Sequence, residues 1–248
     1  MSLRPHHARF VLAAVFAGGF VVSAALAETP PAPPLPPPRP ADAAPTPEAA
    51  PAPAGPAVQT SPRSADEAAT LLAETCRNRI TRLGVSFEPK PDVSAPSCGF
   101  RDAVLVSMLP DGVAVAPPAL MTCPVAEGLA RWTLDVLTLE ADRHLGAAPV
   151  KLAIGTSYEC RNQRSGSKLS EHAFGNAVDV MGVEFHKRAA VPITAHAAGT
   201  PEAAFQDAIR AGACATFTTV LGPGSDAAHG DHLHLDLRGR RGGYRICQ

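Results

Sequence analysis

From residue 65 onward, apolar positions recur at helix or strand spacing; before it they do not. Leu71, Leu72, Cys76, Ile80 and Leu83 recur at helical spacing and predict a helix over 65–83, with Gly84 as its stop. Two short apolar runs, 103–109 and 113–116, flank Pro110-Asp111-Gly112, a turn signal that predicts a β-hairpin. The longest amphipathic pattern runs from Pro124 to His144, with Leu129, Trp132, Val136, Leu137 and Leu139 on its apolar side and Gly146 ending it. Strands are predicted at 150–158, 177–185, 217–221 and 233–237, and a helix at 201–214 with Phe205, Ile209 and Ala213 facing inward. Helices and strands mix without a β-α-β rhythm. The expected class is α+β, with a mainly antiparallel sheet flanked by helices.

The N-terminal quarter has a different grammar. Arg4, His6, His7 and Arg9 precede an apolar run from Phe10 to Ala27 that closes on Ala25-Leu26-Ala27. This is the layout of an export signal over 1–27, with Glu28 as the new terminus and no stable membrane span after cleavage; an uncleaved anchor is the competing reading. Residues 28–63 are almost all Pro, Ala and small polar residues, including the Pro-rich run from Pro30 to Pro38. Such a stretch has little to bury and reads as a disordered, semi-rigid linker. The folded domain is then 64–248.

Net charge is −1, which removes the electrostatic case for a nucleic-acid partner. All six cysteines (76, 98, 123, 160, 214 and 247) lie in the predicted domain, and no Cys-x-x-Cys pair exists. Behind an export signal, that count implies three disulfides and a periplasmic or secreted location. Six cysteines allow fifteen pairings. A clip of the tail by Cys214–Cys247 and a local loop closed by Cys76–Cys98 are two candidates among them.

Two histidine clusters carry the candidate chemistry. The first holds His172 and, seven residues on, Asp179; the second is His229-Gly230-Asp231-His232-Leu233-His234-Leu235-Asp236. In a strand, His232, His234 and Asp236 share one face, while Leu233, Leu235 and Leu237 pack behind. A lone His-x-His is ordinarily a surface pair. An Asp and a His from a second segment make a deliberate set, in which two imidazoles and a carboxylate leave a tetrahedral zinc site with one open position. Ser170 caps or orients the first loop, Glu171 reads as a solvated charge, and Gly175 and Ala177 are small enough to admit a close approach. Asp236 either orients a histidine or caps the strand.

The pattern Ser170-x-His172-x-x-Gly175-x-Ala177-x-Asp179, followed by His232-x-His234, resembles zinc peptidases related to D-Ala-D-Ala carboxypeptidases and lysostaphin. The His229-to-His234 spacing looks most like penicillin-insensitive murein endopeptidases. The span from Cys76 to Cys247 also resembles the bacterial extensin-like C-terminal domain, through Ser157-Tyr158-x-Cys160-Arg161, 168–173, 220–224 and the closing Tyr244-Arg245-Ile246-Cys247.

The resemblance implies a fold of the hedgehog/D-Ala-D-Ala peptidase type and zinc ligands His172, Asp179 and His234. It makes His232 the general base or oxyanion stabiliser, His229 a supporting histidine and Arg161 the contact for a substrate carboxylate; a surface charge or an ion pair with Asp or Glu is the equal alternative for Arg161. Where the carboxypeptidases carry a Glu base, this chain has Asp226, Asp231 and histidines. The expected activity is zinc-dependent hydrolysis of peptidoglycan cross-links or stem peptides by a metal-activated water, without an acyl-enzyme on Ser170. A zinc-bearing wall-binding or structural module without turnover is the alternative.

Overall fold

The computed structural model describes residues 64–164 and 166–248. The expected leader at 1–27 and linker at 28–63 lie outside the described residues. The first helix, α1 (Ala65–Arg82), starts where Ser64 accepts the Glu67 N–H at 3.1 Å, and the chain leaves it through Gly84 at φ +88°. Asp66 and Glu67 in its first turn and Arg79 and Arg82 in its last complement the helix dipole.

The strands are β1 (Ser86–Pro89), β2 (Val93–Ser94), β3 (Gly99–Phe100), β4 (Ala103–Met108), β5 (Ala114–Thr122), β6 (Pro149–Ile154), β7 (Ala177–Phe185), β8 (Arg188–Pro192), β9 (Thr219–Leu221), β10 (Leu233–Asp236) and β11 (Ile246–Cys247). Nine of them form one sheet in the order β1-β4-β5-β6-β7-β10-β9-β11, with β8 paired to the second half of β7. Only β5–β6 and β9–β11 are parallel in that sheet. The α+β class with a mainly antiparallel sheet holds. The Pro-Asp-Gly turn closes the β4–β5 hairpin as expected, with Asp111 at φ 59°.

Three more helical segments form one continuous run: α2 (Cys123–Trp132), a π-turn over Thr133–Leu137, and α3 (Thr138–Leu145), ended by Gly146 at φ 59°. The π-turn changes the expected apolar side. Across its widened turn the buried stripe advances in four-residue steps through Leu129, Thr133, Leu137, Ala141 and Leu145. Leu139 lies off that stripe and is 58% exposed, contrary to the sequence reading. The last helix, α4 (Pro201–Ala213), begins where the Thr200 hydroxyl accepts the Ala203 N–H at 3.2 Å. It buries Phe205, Ile209 and Ala213, and the Trp132 indole donates to the Ile209 carbonyl at 3.0 Å.

Three disulfides staple this frame. Cys214–Cys247 clips the C-terminal strand as expected. The local Cys76–Cys98 loop does not form: Cys76 faces α2 and pairs with its first residue, Cys123, while Cys98 pairs with Cys160. Helix packing sets the first of these partners, because α1 lies against α2 and buries Cys76 at that contact. No helix among the described residues is long and apolar enough to cross a membrane.

Candidate metal centre and its cleft

Strand alternation builds the site. Along β7, Val178 and Val180 enter the core while Asp179 faces the other way; along β10, Leu233 and Leu235 do the same around His234. The antiparallel register sets His234 opposite Asp179 and Asp236 opposite Ala177. Buried leucine and valine therefore lock two polar side chains together on the outer face of the sheet. His172 arrives from a 3-10 turn, Glu171–Phe174, whose cap is Ser170, the hydroxyl accepting the His172 N–H at 3.4 Å.

The three side chains converge on one point. His172 Nε2 lies 3.2 Å from His234 Nδ1 and 3.2 Å from Asp179 Oδ1, and His234 Nδ1 lies 2.9 Å from the same oxygen. A tetrahedral ion with bonds of 2.0–2.1 Å separates its ligand atoms by about 3.3 Å. The triangle's edges of 2.9–3.2 Å come within a few tenths of an ångström of that spacing. His232 Nε2 stands just outside it, 3.7 Å from Asp179 Oδ1.

Outer partners fix which nitrogens face inward. The Ser157 carbonyl can only accept, so His172 Nδ1 donates to it at 2.9 Å and, in the neutral ring, Nε2 offers a lone pair. Asp236 Oδ2 accepts from His234 Nε2 at 3.2 Å, which leaves His234 Nδ1 as the inward lone pair. Two lone pairs and a carboxylate oxygen thus point at one another in a buried site, an arrangement that requires a positive charge between them. The acid–base balance of the metal-free site expresses the same demand. Burial opposes charge on His234, yet hydrogen bonds to Asp179 and Asp236 outweigh it and push its pKa up to about 9. Burial likewise opposes charge on Asp179, but the two histidines hold its carboxyl well below the usual range.

The other histidines repeat the design. Asp231 accepts from His232 Nδ1 at 2.8 Å and Asp226 from His229 Nδ1 at 2.7 Å, leaving each Nε2 free. Burial, together with the neighbouring His234 and His232, lowers the His229 pKa against the pull of Asp226. His229 packs its ring 5.2 Å from His232 and 5.6 Å from His234. A cleft of about 610 Å³ opens over all four histidines, with Arg161, Arg164, Arg238 and Arg240 among its lining.

All six residues singled out from the sequence (His172, Asp179, His229, His232, His234 and Arg161) therefore line one cleft. Arg161, however, already pairs with Glu159 at 2.6 Å. Glu171 is not the solvated charge its sequence position suggests: it accepts from Asn176 at 2.7 Å and its side chain is mostly buried. Gly175 owes its small size to φ +57° and to the Phe100 ring, which a Cβ would meet at 2.5 Å, rather than to a close approach by metal. Sequence reading places Asp226 and Asp231 near the expected base but misses that each holds a histidine, for which an Asp next to or three residues before a His is the signal; the Ser157 carbonyl on His172 has none. A second grouping, Cys76, Asp102 and Cys123, is no metal site, since both sulfurs form a disulfide.

A model of the extensin-like protein C-terminus matches residues 74–248. The chain belongs to that family. The match takes in every strand and every cleft residue, so the histidine cluster lies wholly within the extensin-like domain. Comparisons with curated proteins and with solved structures return no significant match.

Proposed function

We propose that the extensin-like domain is a zinc-dependent peptidoglycan peptidase of the cell envelope, exported and working on cross-links or stem peptides. The observation that carries this reading is the buried triangle of His172 Nε2, Asp179 Oδ1 and His234 Nδ1, with edges of 2.9–3.2 Å and the other nitrogen of each ring held by an outer acceptor. Zinc bound there would supply Lewis acidity and an activated water at its open position.

The chain's own residues have separable tasks. His232 Nε2, the free nitrogen beside the triangle, takes the proton of the attacking water and returns one to the leaving amine. Asp231 holds His232 in the tautomer that leaves Nε2 unprotonated, and offsets the charge when the ring becomes cationic. His229 packs against that ring and limits its rotation. Arg161 lies at the cleft wall in reach of a substrate carboxylate once it exchanges Glu159. Ser170 is occupied as a cap, so no acyl-enzyme forms on it and penicillin does not trap the domain. Three disulfides agree with an oxidising compartment.

A second reading, a zinc-bearing wall-binding module without turnover, draws on one observation. Every carboxylate lining the cleft is already hydrogen-bonded to a histidine or to Asn176, so none is a free general base. His232→Ala separates the two. In a peptidase it keeps zinc and loses release of muropeptides from purified peptidoglycan. In a binding module neither the parent nor the variant releases any, and both still sediment with the polymer.

A further inference from the structure

We infer that Arg240 forms an anion subsite of this cleft, separate from Arg161, that holds a free carboxylate of a peptide. The inference rests on the peptidase reading for the kind of ligand, and on the following observations for the site.

Four guanidiniums and four carboxylates line the cleft. The carboxylates are spent inward: Asp179, Asp226 and Asp236 on histidines, Glu171 on Asn176. A divalent ion on the triangle therefore leaves the cleft electropositive within a chain of net charge −1. Two of the guanidiniums have acidic neighbours, Glu159 for Arg161 and Glu171 for Arg238. Arg164 is exposed and donates to the Ala228 carbonyl at 3.3 Å, near enough to Asp231 to join His232 in holding down its pKa.

Arg240 differs from all three. It has no carboxylate partner among the described residues, yet it is held at fixed points. One Nη donates to the Thr218 carbonyl at 2.9 Å, the other to the Thr219 hydroxyl at 2.6 Å, and its guanidinium lies 5.5 Å from the Tyr244 ring. Two of its five N–H donors are used; the rest remain for a ligand. An anchored planar fork with unspent donors matches a carboxylate at low entropic cost. Its position is equally fixed. Thr219 is the β9 partner of Asp236, and β9 lies about 4.8 Å beyond the β10 strand that carries His234. Arg240 is thus tied to the start of β9, whereas Arg161 belongs to the loop between β6 and the His172 turn.

The test uses the purified domain loaded with zinc, its metal content measured first, and titrated with N-acetyl-dialanine and with the C-terminal amide of the same peptide. The wild type is expected to bind the acid at least tenfold more tightly than the amide. Arg240→Gln should abolish that preference with zinc content and denaturation midpoint unchanged, and Arg240→Lys should restore only part of it, because an ammonium lacks the fork. A merely structural arginine would alter both peptides alike. Equal binding of acid and amide by the wild type, binding of neither, or loss of the preference in Arg161→Gln with Arg240→Gln unaffected would each overturn the assignment. A domain that holds no zinc overturns the peptidase reading beneath it, and is recognised before any peptide is added.

Discussion

Asp236→Asn isolates the electrostatic logic of the site with almost no change in volume. Asp236 uses both oxygens as acceptors: Oδ2 takes the His234 Nε2 proton at 3.2 Å and Oδ1 takes the Arg238 backbone N–H at 3.0 Å. Asparagine has one acceptor. If its oxygen stays with the backbone donor, its NH2 faces His234 Nε2 and drives the ring proton to Nδ1, the atom the proposed zinc site needs as a ligand. If the amide turns over, two donors face each other at Arg238 in a buried site. Loss of an outer carboxylate of this kind weakens metal binding by roughly 10- to 100-fold, or about 1.4–2.8 kcal/mol. Chelator competition measures the zinc constant directly, and a denaturation curve of the metal-free protein shows whether the fold survives. An affinity within twofold of the parent would refute the tautomer argument.

The remaining predictions concern pH and the frame. Because the His234 pKa in the metal-free protein is raised from 6.5 to about 9, its contribution to stability is full below about pH 6.5 and disappears as the pH rises through 9. In the proposed site zinc displaces that proton, so uptake at pH 7.5 should release about one proton, read as calorimetric heat in buffers of different ionisation enthalpy; no proton release contradicts the assignment. The depressed Asp179 pKa acts in the opposite sense, stabilising above the ordinary carboxylate range and failing in strong acid. Replacing Cys98 and Cys160 by Ser opens a loop of 62 residues and should cost about 4 kcal/mol in a denaturant titration, with an unchanged midpoint counting against it. Gly175→Ala meets both a positive φ and the Phe100 ring, and a loss of about 1–3 kcal/mol is expected; a neutral result would mean the ring moves aside.

Much of this arrangement can be read from residue order because strand alternation is a short-range property. Leu233-His234-Leu235-Asp236 announces which side chains face the core, and the structure agrees. The α+β class follows from the same patterns. What order does not encode is which strand lies opposite. The His234–Asp179 register, the Cys76–Cys123 and Cys98–Cys160 partners, and the Ser157 carbonyl on His172 all arise from long-range packing. Strand β6 illustrates the point: its apolar pattern runs on toward Tyr158, but the strand stops at Ile154 and the chain bends to place Ser157 on the histidine. Leu139 departs from its pattern for a different reason, since a π-turn shifts helical phase without any marker in residue type. Strands β1, β2, β3, β8 and β11 escaped because two to five residues carry too little periodicity to register.

The most direct measurement is zinc content together with muropeptide release by the purified domain, beside His234→Ala and His232→Ala. The account predicts one zinc per wild-type chain, loss of metal and product in the His234 variant, and retained metal with lost product in the His232 variant. A wild-type domain that takes up no zinc would contradict it.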